Sequence, residues 1–167
     1  TAGSYARIFQ ETEQNSAISN HFDPGKNPYF RYEFSPNVAD SRARMFLGFR
    51  TTPGVSIPVV GASAEHCAGL IWSGTVWRLA TGDGTTISTG TPSTLPTVGA
   101  RNVFEVYILS GVSVELWLNG VLVLTKTTNR PTGALEWEIL LKGEDGGGAA
   151  DDSLMTLGEC IFQENPA

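Results

Sequence analysis

Lysine is almost missing from this chain. Of 167 residues only Lys26, Lys126 and Lys142 are lysine, and the remaining cations are scattered arginines of which only Arg42 and Arg44 lie close together. A duplex-binding protein needs clustered cations to displace the counterions along the phosphates, so nucleic acid is not an expected partner. The net charge of −6 and a pI near 4.8 agree, and the acidity is read as serving solubility. No run of apolar residues reaches the length of a helical membrane span, so no membrane partner is expected, and no basic-then-apolar leader opens the chain. Histidine is limited to His21 and His66, which leaves a serine or cysteine hydrolase short of a base. No Gly-x-Ser-x-Gly elbow, Walker A loop, dinucleotide fingerprint or EF-hand spacing occurs, and zinc lacks its Cys/His set. His66 and Cys67 are adjacent, so in a strand they point to opposite faces and form no dyad. His66 is read as a polar strand end. Cys67 and Cys160 are the only cysteines, and both lie in apolar strand-like runs. Small-residue packing favours two buried free thiols, with a disulfide as the alternative.

What is abundant is glycine, threonine and serine, with 41% apolar residues, a composition that favours short strands and turns around one core. No segment keeps a helical period. Alternation recurs instead. Phe30, Tyr32 and Phe34 share one face of a strand over 29–34, opposite Arg31 and Glu33. Further strands are expected over 45–50, 66–73 (ending in Ile71-Trp72), 76–79, 103–109, 112–118, 121–126, 135–141 and 154–162. Trp72 and Trp77 flank a tight turn and are placed to pair across it. Asn119-Gly120 predicts a two-residue hairpin turn with positive φ at both positions. Long loops are expected over 51–65 and 81–101. The sum is about nine or ten strands, enough for two sheets. The fold class is all-β, a two-sheet antiparallel jelly-roll sandwich. Residues 1–167 are read as a single domain, with 1–28 as an extended N-terminal segment.

Alternation also assigns faces. Phe104, Val106 and Ile108 form one row, Val112, Val114, Leu116 and Leu118 a second, and Leu135, Trp137, Ile139 and Leu141 a third. The opposing rows carry Glu105, Tyr107, Glu115, Trp117, Glu136 and Glu138. If these strands share a sheet, its outer face mixes carboxylates with rings, which suits carbohydrate: rings stack on the apolar faces of sugars and carboxylates accept from hydroxyls. The candidate ligand-binding residues are therefore Glu105, Tyr107, Glu115 and Trp117, with Trp117 packing under a loop or at a subunit contact as the competing assignment. Glu136 and Glu138 share a face with Cα atoms roughly 6.5–7 Å apart, and retaining glycosidases hold their carboxyl groups about 5–5.5 Å apart. The next same-face position is Leu140, where a third acid would be expected, so two solvated glutamates explain the pair more simply. No catalytic residue is assigned. Asp145, Asp151 and Asp152, in an acidic Gly-rich loop, are the weak candidates for Ca²⁺. Otherwise no cofactor is expected.

Val114 to Val123, with Asn119-Gly120 at its centre, is similar to the strand–turn–strand hairpin of concanavalin-like and laminin-G-like jelly rolls. With Arg44 to Phe49, the Trp72-to-Trp77 hairpin, Gly82-Asp83-Gly84-Thr85 and Asn129-Arg130-Pro131, the chain from about 29 to 162 resembles lectin-like domains of bacteriophage virion proteins, fibre tips and capsid-decorating subunits. The resemblance implies a non-enzymatic structural or binding role on a virion surface, with other virion proteins or further copies of itself, often three, as partners. The alternative is a free-standing carbohydrate-binding lectin outside the cell, and a jelly-roll glycoside hydrolase is the third reading.

Overall fold

In the computed structural model the described residues are 5–9, 22–36, 43–51, 57–58, 65–143 and 155–164. They form eleven strands: β1 Tyr5–Phe9, β2 Pro28–Pro36, β3 Ala43–Arg50, β4 His66–Trp72, β5 Trp77–Asp83, β6 Ile87–Gly90, β7 Asn102–Leu109, β8 Ser113–Leu118, β9 Val121–Lys126, β10 Glu136–Gly143 and β11 Met155–Glu164. One sheet has six strands in the order β1-β10-β3-β4-β5-β6, and the other has five in the order β11-β2-β7-β8-β9. All pairings are antiparallel. The expected all-β sandwich is the observed fold. Inside the N-terminal stretch, Tyr5–Phe9 joins the six-stranded sheet through β10, and Phe22 bridges to Leu135.

The expected apolar rows meet between the sheets. Phe30, Tyr32 and Phe34 of β2 and Phe104, Val106 and Ile108 of β7 are buried against Leu47, Phe49, Leu70 and Leu79 of the opposite sheet. Trp137 packs at the margin of this core, stacked on Phe162 at 4.8 Å, and Trp72 meets Trp77 across their hairpin at 5.3 Å. Close backbone approach sets where side chains are forbidden. A Cβ at Gly48 would lie 2.5 Å from the Ala68 carbonyl oxygen and from Gly69 Cα, so β3 and β4 can pair this closely only because position 48 carries no side chain. Asn119 and Gly120 adopt φ of 51° and 78°, as the hairpin turn demands.

Three local expectations need correction. The stretch 81–101 is not one loop: β5 runs on to Asp83 and Ile87–Gly90 pairs with it as an edge strand, because Asp83 organises a tight turn between them. The strand over 112–118 begins at Ser113, and Val112 is an exposed turn residue instead of a core one. Cys67 is a buried free thiol, but Cys160 is free and exposed. It lies on edge strand β11, beside a break in register with β2 between Leu157 and Cys160. His66 is the strand end expected of it. Its ring fills the space beside Gly84 and Gly133, where a Cβ would approach it within 2.7 Å and 2.5 Å, and its Nδ1 accepts from Thr132 N at 3.3 Å.

The Asp83 turn carries a pH signature. Oδ1 accepts from Thr85 N at 2.9 Å, Thr85 Oγ1 at 2.7 Å and Thr86 N at 2.8 Å, and Oδ2 accepts from Asn129 Nδ2 at 3.1 Å. These bonds, the Thr85 hydroxyl foremost, hold its carboxyl well below the usual carboxylate range. A depressed folded-state pKa stabilises the fold above the unfolded pKa of about 4 and loses that contribution as pH falls through the folded value. Asp83→Ala should therefore lower Tm at neutral pH, and the gap to the parent protein should shrink as pH drops below about 4. A gap that stays constant from pH 7 down to pH 2 would contradict this role.

Candidate functional site

Two faces of the sandwich carry the charged and aromatic residues that alternation singled out, and they do so in different ways. The outer face of the five-stranded sheet is built from β2, β7 and β8. Their register sets two rungs across it. One runs Tyr29–Tyr107–Glu115, and the next runs Arg31–Glu105–Trp117. All four predicted ligand-binding residues thus share one face, and each is half-buried. The Tyr29 and Tyr107 rings stack at 5.3 Å and 14°, while Trp117 stands nearly perpendicular to Tyr107 at 6.4 Å and 74°. The rings therefore form a corner rather than a flat shelf.

The carboxylates brace this corner. Trp117 Nε1 donates to Glu115 Oε2 at 3.0 Å, and the Tyr107 hydroxyl donates to Glu105 Oε1 at 3.4 Å. Each glutamate keeps its other oxygen for a further donor. Burial, and then the Glu105 carboxylate, push the Tyr107 phenol up, so it stays protonated and able to donate at neutral pH. Arg31 bonds Glu159 of β11 and Arg101 bonds Glu33, so ion pairs flank the corner. Tyr29 was missed as a site residue. It lies in the Arg31/Glu33 row by alternation, but its contact with Tyr107 depends on the pairing of strands far apart in the chain.

Glu136 and Glu138 are not part of this face. β10 enters the six-stranded sheet, so the two glutamates point outward on the opposite side of the sandwich. Nor are they solvated: Glu136 is 8% exposed and Glu138 is fully buried. Glu136 pairs across the sheet with Arg50, and Glu138 with Gly48. The missing side chain at Gly48 lets the Arg50 guanidinium lean over, and Nη1 donates to Glu138 Oε2 at 3.0 Å. Arg50 Nε and Nη2 both donate to Glu65 Oε2, at 3.1 Å and 2.7 Å. Around this ionic cluster lie Phe46, Cys67, Ile71, Ala80, Ile87 and Leu140, a second apolar cluster on the same side. Burial pushes the Cys67 thiol far up, which makes it a packing group with no thiolate to offer.

Asp145, Asp151 and Asp152 lie outside the described residues. Among the described residues no three His, Cys, Asp or Glu side chains are placed to hold a metal ion, and no helix is long and apolar enough to cross a membrane.

No family model matches the chain, and no curated protein matches it. Solved structures do. The potassium-bound carbohydrate recognition domain of Emp46p superposes with a TM-score of 0.64 at 6% identity, covering 99% of this chain and 81% of that one. An alginate lyase from Pseudomonas aeruginosa gives 0.58 at 11% identity, over 95% of this chain and 82% of that one. A Bacillus licheniformis β-glucanase gives 0.57 at 10% identity, over 99% and 79%. At such identities the likeness is one of fold, and it fixes the architecture as the lectin-like jelly roll expected from the sequence.

The two faces differ in what a mutation should do. Arg50→Met strands the buried Glu138 carboxylate without this donor and should cost about 3–5 kcal/mol. Adding Glu138→Gln should recover part of that loss. Chemical denaturation reads both, and a single variant as stable as the parent would show that the cluster does not hold the six-stranded sheet.

Proposed function

We propose that the chain is a carbohydrate-binding, lectin-type domain that holds glycan on the outer face of its five-stranded sheet and does not turn it over. The carrying observation is the two-rung arrangement of Tyr29, Tyr107 and Trp117 with Glu105 and Glu115. A sugar offers apolar C–H faces to rings and hydroxyl protons to carboxylates, and this corner presents both within one strand spacing. The fold supports the reading, since Emp46p's neighbouring domain is a carbohydrate recognition domain. The lyase and the glucanase also act on polysaccharide by their names. Against turnover, the same-face position beyond Glu136 and Glu138 is Leu140, and Glu138 is engaged by Arg50. The virion-surface reading adds a location and a multiple-copy assembly. It rests on the resemblance of turns and strand ends, and none of the three neighbours named above is a virion protein.

A glycan array run with Ca²⁺ and again with chelator would test the proposal, with saturable binding retained in chelator as the expected result. Ring–ligand stacking is worth about 1–3 kcal/mol on the scale measured for nucleobases. Trp117→Ala should thus weaken the best oligosaccharide about tenfold or more in a calorimetric titration. Unchanged affinity would remove this face from the site.

A further inference from the structure

A cavity of about 260 Å³ opens at the end of the sandwich, near the corner of rings but built from other residues. Its walls are the 3₁₀ turn Pro24–Lys26 with its cap Asp23, the β7–β8 turn at Ser110-Gly111, and the 130–132 segment. These walls are tied to one another. Asn27, in the left-handed region at φ 49°, places its Oδ1 to accept from Ser110 N at 2.8 Å. Arg130 donates to the Val112 carbonyl, joining the third wall to the second. Phe22 and Leu135 exchange backbone hydrogen bonds of 2.8 Å and 3.0 Å, joining the third to the first. The pocket is therefore preformed, and binding has little ordering cost to overcome.

Its lining keeps unused bonding capacity. Asp23 Oδ1 accepts from Gly25 N at 2.7 Å, and its second oxygen is open. Arg130 has donors beyond the one given to Val112, and the Ser110 and Thr132 hydroxyls have no partner among the described residues. Asp23 and Arg130 form no ion pair with each other and both line the pocket, which thus holds an acceptor and a donor fork. Pro24 and Pro131 are buried and give the pocket apolar walls. Pockets for drug-sized ligands run from about 300 Å³ upward, so this one suits something smaller.

We infer that this pocket binds a single sugar ring, the end residue of the glycan whose next residues lie on the ring corner. A pyranose matches the lining: vicinal hydroxyls donate to Asp23, accept from Arg130, and do both with Ser110 and Thr132, while ring C–H groups meet the two prolines. The strand order places the pocket within reach of the corner. Leu109, which lines it, lies two residues along β7 from Tyr107, about 7 Å by strand rise. The inference rests on the carbohydrate-binding reading above and extends it from a face to a defined end subsite.

The test is an amide-resolved NMR titration of the whole chain with methyl α-mannoside, methyl β-galactoside and methyl β-N-acetylglucosaminide, and with glycine as a small zwitterion. At least one glycoside should shift the Gly25, Ser110 and Thr132 amides saturably. Ser110→Phe, which fills the pocket from an exposed turn position, should weaken that binding at least tenfold. Asp23→Asn, which keeps an oxygen for Gly25 N, should weaken it severalfold. Trp117→Ala should lower the affinity for the oligosaccharide. If an oligosaccharide shifts Tyr107 and Trp117 but no glycoside moves the pocket amides, the end subsite is wrong and the proposed function stands. If glycine moves them and no glycoside does, the assignment to a sugar is overturned. If no saccharide moves either region, both readings fall together.

Discussion

The aromatic seam between the two sheets is the constraint on which the rest of the structure depends. Phe30 touches Tyr32, Phe49 and Phe162 with ring centroids 5.4–5.9 Å apart, and Phe34 stacks on Phe104 at 5.1 Å and leans on Trp77 at 5.5 Å. β2 supplies three of these rings at alternate positions, so a slip of one residue would carry all of them to the solvent side. The seam thereby fixes the register of β2. That register in turn puts Tyr29 beside Tyr107, and Arg31 beside Glu105, on the outer face. The candidate site is the reverse side of the core: the pleat that buries Phe30, Tyr32 and Phe34 also presents the rows between them.

The same logic explains what could be read from the sequence. The rows Phe30/Tyr32/Phe34 and Phe104/Val106/Ile108 are legible because burial on one face and polarity on the other leave a period of two, and Asn119-Gly120 is legible because positive φ restricts the residues that can follow one another there. The four predicted face residues also come together as expected, since β7 and β8 are neighbours joined by a short turn. Sheet membership was not legible. Nothing local tells β10 to pair with β3 instead of extending the β7–β8 sheet, so Glu136 and Glu138 were grouped with Glu105 and Glu115 although the sandwich separates them. β6 was hidden for another reason. Ile87-Ser-Thr-Gly is a short edge strand with one buried side chain, and inside a Gly/Thr-rich stretch it carries no alternation to detect.

Burial of Glu138 shows how far a side chain's environment can lie from its sequence context. A glutamate between Trp137 and Ile139 looks like the outward residue of an amphipathic strand, and outward it is. Yet it is fully buried, takes a hydrogen bond from Arg50, 88 positions away, and lies opposite Gly48 in the register. Buried charges persist where their hydrogen bonds are met within the protein. Here the guanidinium divides its donors between Glu138 and Glu65, a bidentate use of the arginine fork that lysine could not copy.

The contrast between the two faces is what separates scaffold from surface. On the six-stranded side the charges answer one another: the Arg50 cluster is 0–12% exposed and its groups bond within the protein. On the five-stranded side Glu105 and Glu115 are each bonded once, by a ring they steady, and each keeps its second oxygen for a further donor. A carboxylate satisfied once and half-exposed can exchange water for a ligand hydroxyl at little cost, whereas removing Glu138 from its arginine would leave a buried charge behind. Aromatic rings held in place by those same glutamates need no reordering when a ligand arrives. The sequence uses glutamate on both sides of the sandwich, and the partner that register provides, the Arg50 guanidinium for Glu138 and a phenol or indole for Glu105 and Glu115, decides which carboxylate is closed within the protein and which keeps bonding capacity at the surface.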